Sequence, residues 1–251
     1  MSENDRLLGL KAVVTGANTG IGDAIARVFA QHQASVLAVD MPDSGVVKRF
    51  ESVANIDGFE CDVSADGATD AVFEEIDRTL GGLDILVNNA GICLRSDTDE
   101  TADADWDAVF ATNVDAAFRL CRRSLPYLKK SPAGRIINVG SVLSELGESG
   151  RTAYAASKHA LFGMTKSIAS EWGVYGITAN CLLPGAIMTG MTRDYFRAHK
   201  DYRDYWIKKS AARRLGEPLD VARVALFLAS DDSVFVSGQG IVVDGGGSQS
   251  I

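Results

Sequence analysis

Ser141, Tyr154 and Lys158 lie in one stretch, RIINVGSVLSELGESGRTAYAASKHA. The apolar run 136–139 reads as a strand, with Ser141 just past its carboxyl end. Tyr154 opens a segment rich in helix formers, and Lys158 follows four residues later, so phenol and ammonium share one helical face. A buried cation beside a phenol favours phenolate and lowers a pKa that starts near about 10. A nearby serine hydroxyl can hydrogen-bond both the phenol and a substrate oxygen. These residue types suit moving a proton on or off a carbonyl or an alcohol. A second Tyr-x-x-x-Lys, Tyr205 to Lys209, even has Thr192 thirteen residues upstream. Thr192 follows no strand and sits among charges, so only the Ser141 set is read as catalytic.

The opposite end of the chain supplies a partner for that chemistry. The run 11–15, KAVVT, reads as a strand and leads into Gly16-Ala17-Asn18-Thr19-Gly20-Ile21-Gly22 and the helical pattern AIARVFAQH. In a strand–glycine turn–helix unit, glycines let the backbone approach a pyrophosphate and the helix amino end favours the anion. The spacing here is G-x-x-x-G-x-G rather than G-x-G-x-x-G. A second run, 35–39, ends in Asp40, eighteen residues after Gly22. A carboxylate there can bind both ribose hydroxyls of an adenosine and repels a 2′-phosphate, which points to NAD as cofactor. Met41 follows, and position 17 is Ala, so no basic residue awaits that phosphate.

With Asp62-Val63, Asn88-Asn89-Ala90-Gly91, Asn113, Pro184-Gly185 and Val243-Asp244-Gly245-Gly246, the chain resembles the short-chain dehydrogenase/reductase family in its compact form, over essentially its whole length. The resemblance implies catalytic roles for Asn113, Ser141, Tyr154 and Lys158, with Asn113 holding a water that links the lysine to bulk. It implies that Gly16, Asn18, Thr19, Gly20, Ile21, Gly22, Asp40, Met41, Asn89, Ala90 and Gly91 surround the cofactor. Asp62 would accept from the adenine amino group, and Val63 would meet the ring through its backbone. Tyr154, Lys158, Pro184, Gly185, Ile187 and Thr189 would lie along the nicotinamide and its ribose. A homotetramer is also implied. Two departures stand out: Gly140 where a second serine is frequent, and Cys181-Leu182-Leu183 where smaller residues are common.

Length and composition agree with one domain. Strands are expected near 11–15, 35–40, 58–61, 83–88, 134–140, 177–183 and 240–244, with helical patterns between them, including 103–130 and 152–174. Strand–helix alternation predicts a single-domain α/β Rossmann fold, a doubly wound seven-stranded parallel sheet with helices on both faces and ligands at the strand carboxyl ends. Pro126 is expected to kink or end its helix. A net charge of −8 argues against a nucleic-acid surface. No stretch approaches the roughly 18 apolar residues needed to span a bilayer, and the polar start MSENDRLLGLK carries no leader pattern. Cys61, Cys93, Cys121 and Cys181 are scattered, as are His32, His159 and His199, which suits reduced cytoplasmic thiols and no metal site.

The function expected is NAD-dependent interconversion of a secondary alcohol and a ketone, with Tyr154 as acid and base. The substrate is a small molecule: a sugar or polyol, a hydroxy acid or a cyclic alcohol. A 3-oxoacyl thioester reductase is the alternative. A non-catalytic NAD-binding regulator would keep the fold but lose the Ser-Tyr-Lys set. A sugar-nucleotide epimerase or dehydratase would need room for an added substrate domain. Residues 188–215 carry eight basic residues and interleaved aromatics and read as helical insertions over the active site. Either their charges face water, or one or two, with Arg95 or Arg151, face the pocket and bind an anionic or polyhydroxylated substrate.

Overall fold

Among the described residues, 5–249 of the computed structural model, seven short runs form one sheet. They are β1 (Lys11–Thr15), β2 (Ser35–Asp40), β3 (Ile56–Glu60), β4 (Ile85–Asn88), β5 (Arg135–Val139), β6 (Thr178–Pro184) and β7 (Gly240–Val243). The order is β3-β2-β1-β4-β5-β6-β7, and every pairing is parallel. The order in which strands are added reverses between β1 and β4, so the crevice for ligands opens above their carboxyl ends.

Helices connect the strands: α1 (Gly20–Gln31), α2 (Val46–Phe50), α3 (Ala68–Thr79), α4 (Asp103–Phe110), α5 (Ala116–Leu128), α6 (Thr152–Trp172), α7 (Gly190–Ala198), α8 (Lys200–Lys209) and α9 (Pro218–Ala229). Alternation along β1 divides the core. Ala12 and Val14 face the layer built around Ile25, Phe29, Val221 and Ala225 of α1 and α9. Val13 faces the opposite layer, with Phe73, Ile76, Leu120 and Ile168 of α3, α5 and α6. Both faces are covered, which is why the central strands are continuous apolar runs.

The structure differs from the sequence expectation in three places. The third strand begins at Ile56, earlier than expected, because IDGFE on the sheet edge has no apolar run to mark it. Its Gly58 is required by α2, since a Cβ there would stand 2.6 Å from Val47 Cα. The single helix expected over 103–130 is interrupted by a π-helical turn, Ala111–Asp115, which carries Asn113. Pro126 neither breaks nor ends the helix where it stands. It occupies the last turn of α5, which runs on to Leu128.

Candidate active site

The glycine turn is clamped from β1 and β4. Thr15 Oγ1 accepts the backbone N–H of Asn89 and of Ala90, both at 3.0 Å. Asn89 Nδ2 donates to the Thr15 and Gly16 carbonyls at 2.9 Å each. A Cβ on Gly22 would lie 2.1 Å from the Gly16 carbonyl oxygen, so α1 starts directly beneath the turn and aims its first N–H groups into the crevice. Asp40 closes the far end: its carboxylate accepts from the N–H of Asn18 at 2.7 Å and of Met41 at 2.8 Å.

A cleft of about 540 Å³ runs from Asp40 to Tyr154. Every cofactor contact expected from the sequence lines it except Asn18 and Gly22. Asn18 uses its backbone N–H on Asp40 and its side-chain amide on the Ser44 carbonyl, 2.8 Å away. Gly22 supports the turn from below. Asp62 Oδ1 accepts from the Ser64 N–H and hydroxyl, which orients the carboxylate. Among the described residues, Lys158 is the one cation lining this cleft, so nothing near Asp40 matches a 2′-phosphate. The residues present therefore fit a nicotinamide dinucleotide.

The reacting groups come from β5 and α6. Asn88 Nδ2 donates to Asn138 Oδ1, and Asn138 Nδ2 donates to Thr165 Oγ1, both at 2.8 Å, a buried chain that fixes α6 against β4 and β5. Ser141 Oγ accepts from the Leu143 N–H at 3.1 Å, leaving its own proton to donate. That hydroxyl lies by the Tyr154 phenol and acts to lower its pKa. Ser144, which sequence reasoning missed, receives the Ser141 N–H at 3.3 Å and holds this turn. Lys158 Nζ donates to the Val139 carbonyl at 2.8 Å and stands 5.6 Å from the Tyr154 ring centroid.

The electrostatics correct one expectation. Burial dominates at Tyr154 and raises its phenol well above the ordinary value. The Ser141 hydroxyl and the charge of Arg151 pull the other way without reversing it. The Lys158 ammonium points at a carbonyl instead of at the phenol, and burial pushes it down to about 8. Asn113 does not line the cleft. It is buried, its Oδ1 accepts the Ile92 N–H at 2.8 Å, and its Nδ2 donates to the Ile92 carbonyl and Ser157 Oγ, both at 3.0 Å. It fixes the 91–93 loop beside Lys158, where a Cβ on Gly91 would stand 3.0 Å from Asn113 Oδ1 and 3.4 Å from Lys158 Nζ.

A second cavity, about 360 Å³, adjoins the first, and Ser141, Tyr154, Gly185 and Thr192 line both. Its walls are Leu94, Val142 and Leu143, with Tyr195, Phe196, Tyr202 and Trp206 from α7 and α8 overhead. None of the cations of 188–215 lines it among the described residues; Arg197, Arg203 and Arg214 pair with Asp194, Asp204 and Asp220 instead. Arg95 and Arg151 do line it, together with Glu148 and Cys93. The decoy separates clearly: Tyr205 is exposed on α8, outside both cavities, and the Thr192 hydroxyl is tied to the Ile187 carbonyl.

Comparison with known proteins bears on the fold and on the family. The profile of a family described as Enoyl-(Acyl carrier protein) reductase matches residues 16–248. A 3-oxoacyl-acyl-carrier-protein reductase of Thermotoga maritima is 38% identical over 245 residues, covering 96% of this chain and 98% of its own length. Among solved structures, a candidate gluconate dehydrogenase from Agrobacterium tumefaciens superimposes with a TM-score of 0.92 at 32% identity, over 98% of each chain. An NAD(P)-dependent gluconate 5-dehydrogenase candidate from Beutenbergia cavernae, solved with NADP at low occupancy, gives 0.92 at 37% identity, over 98% of this chain and 100% of its own. Among the described residues, no helix is long and apolar enough to cross a membrane, and no group of side chains could hold a metal ion.

Proposed function

The chain belongs to the short-chain dehydrogenase/reductase family, and from that membership we propose that it is an NAD-linked oxidoreductase interconverting a secondary alcohol and a ketone. The observation that carries this reading is that Ser141 and Tyr154 both line the cofactor cleft and the substrate pocket, so that one phenol faces the two. Bound nicotinamide supplies the hydride chemistry. Tyr154, held neutral by burial, donates its proton to the substrate oxygen in reduction and must lose it before oxidation. Ser141 donates to the same oxygen as charge develops on it. Lys158 faces the cleft next to Gly91, placed for ribose hydroxyls, and Asn113 holds the loop that sets its position.

Preference for NAD rests on Asp40 and on the lack of a cation near it; the NADP seen in one relative makes this a point to measure. On the substrate two readings compete. The curated relatives favour a 3-oxoacyl thioester, and the apolar wall of Leu94, Val142 and Leu143 suits an acyl chain. The solved neighbours and the charged mouth of the pocket favour a small polyol or hydroxy acid. A panel of secondary alcohols with NAD, run beside 3-oxoacyl thioesters with NADH and followed by the absorbance of reduced nicotinamide, separates them. Turnover in neither arm contradicts the proposal. A cytoplasmic location is supported by four free thiols among the described residues. A homotetramer is supported by exposed Trp106 and Phe118 on the α4–α5 face and exposed Phe235 near β7, and a monomeric mass in light scattering would refute it.

A further inference from the structure

Two arginines, Arg95 and Arg151, and one carboxylate, Glu148, line the substrate pocket. Glu148 is its carboxylate, and that carboxylate is committed: Oε1 accepts the Tyr202 hydroxyl at 2.6 Å, and Oε2 lies 3.6 Å from Arg151 Nε. Arg151, with its guanidinium carbon 5.9 Å from the Tyr154 ring centroid, also reaches the Cys93 thiol. Arg95 is different. Its guanidinium carbon sits 3.7 Å from the Tyr195 ring centroid and 5.0 Å from that of Tyr202, and no carboxylate pairs with it among the described residues. A guanidinium held on tyrosine faces keeps its N–H edge available for a forked acceptor. Trp206 Nε1, in the same wall, is buried beside the Tyr202 hydroxyl without a well-formed hydrogen bond, and Arg151 Nε is likewise without one. Buried donors of this kind are ordinarily satisfied, so an acceptor entering the pocket has donors to meet.

Position narrows the choice. An anion on the carbon next to the reacting one would meet Arg151 together with Glu148, which opposes it. Arg95, exposed at the pocket mouth, has no carboxylate within ion-pair distance among the described residues, so an anion reaching the mouth meets an unneutralised guanidinium. The chain as a whole is acidic, so attraction for an anion has to come from this local charge. Resting on the assignment of Tyr154 as proton donor, we propose that the substrate carries an oxyanion, carboxylate or phosphate, several bonds from its reacting carbon, and that Arg95 in the pocket binds it. Trp206 donates to the same substrate, and the α7–α8 aromatics hold Arg95 in place. Arg95 is thus a specificity-determining residue, separate from the Ser141–Tyr154–Lys158 chemistry.

The test compares matched ligands. Oxidation of 5-hydroxyhexanoate is measured against 5-hydroxyhexanamide, with a hydroxyalkyl phosphate of similar length as the second arm. In the wild type, kcat/KM should favour an anion over the amide by about ten- to a hundred-fold, the size of a charge-assisted forked bond, and mostly through KM. Whichever anion shows the larger ratio identifies the group recognised. Arg95→Met should collapse the ratio to within a few-fold, and Arg95→Lys should restore part of it. A binding arm keeps the outcome independent of turnover: hexanoate should quench Trp fluorescence of the wild type at lower concentration than hexanamide, and the difference should vanish in Arg95→Met. Equal handling of anion and amide by the wild type, or an anion preference surviving in Arg95→Met, would overturn the proposal. Failure of the Tyr154 assignment shows itself separately, as Tyr154→Phe turning over all the substrates as well as the wild type.

Discussion

Gly140→Ser restores a residue frequent at this position in the family, yet here it should damage the protein. A Cβ at position 140 would stand 2.7 Å from Ser144 Oγ, 2.8 Å from Cys181 Sγ and 2.9 Å from Leu183 Cδ2. All three neighbours are buried, and Ser144 is already engaged in holding the Ser141 turn, so they cannot all withdraw together. Overpacking of this kind costs about 1–3 kcal/mol. For a chain of this size, that lowers the melting midpoint by roughly 2–12 °C. Cys181→Ala removes one of the clashing atoms, so the pair should be coupled by about 1 kcal/mol or more in a double-mutant cycle. Chemical unfolding of the four proteins, followed by circular dichroism, reads this directly. A Gly140→Ser protein as stable as its parent, or additive single and double mutants, would refute the idea that Gly140 and the bulky Cys181–Leu183 run compensate each other.

Three further outcomes follow from the site. Asp40 should make kcat/KM with NAD exceed that with NADP, and Asp40→Ser should narrow the gap; equal use of both cofactors by the wild type would contradict it. Because burial raises the Tyr154 phenol, ketone reduction should be flat across neutral pH and fall only at alkaline pH, while alcohol oxidation should climb with pH over the same range. Parallel profiles in the two directions would exclude Tyr154 as the titrating group. Burial lowers Lys158 from 10.5 to about 8, so the unfolded chain holds that proton more tightly. This destabilisation is complete below about pH 8 and fades as pH rises toward 10.5, being on the order of 3 kcal/mol at its fullest. Lys158→Met should therefore unfold no earlier than the wild type at pH 7 and lose its advantage by pH 10, and a mutant less stable at pH 7 would contradict this.

What could be read from the sequence was whatever depends on local pattern. Central strands buried on both faces are continuous apolar runs, and the glycine turn, Asp40 and Ser141 lie at strand ends that those runs mark, with Tyr154 and Lys158 in the helix that follows β5. Other features depend on distant partners. The π-helical turn at Asn113 serves the loop at Ile92, and Gly58 serves α2, so neither has a signature of its own. Asn18 reads as a cofactor contact, yet its amide is closer to Ser44. The direction of the Tyr154 shift depends on how deep the phenol lies and on where the Lys158 ammonium points, and residue spacing gives neither. The charged mouth of the pocket draws Arg95, Glu148, Arg151 and Tyr202 from separate loops and from α8. None of the cations that make 188–215 basic lines the pocket among the described residues, and Arg197 and Arg203 pair locally with Asp194 and Asp204 instead.

The most direct measurement sets Tyr154→Phe beside Tyr205→Phe on the best alcohol found, with NAD. Both proteins should fold and bind NADH, as judged by circular dichroism and cofactor fluorescence. Tyr154→Phe should lose about a hundred- to ten-thousand-fold in kcat, the usual worth of a positioned proton donor, because it removes the hydroxyl that stands with Ser141 where the two cavities meet. Tyr205→Phe, altered on the exposed side of α8, should stay within a few-fold of the wild type. Equal losses in the two mutants, or full activity in Tyr154→Phe, would contradict the assignment of this site as an alcohol–ketone oxidoreductase centre.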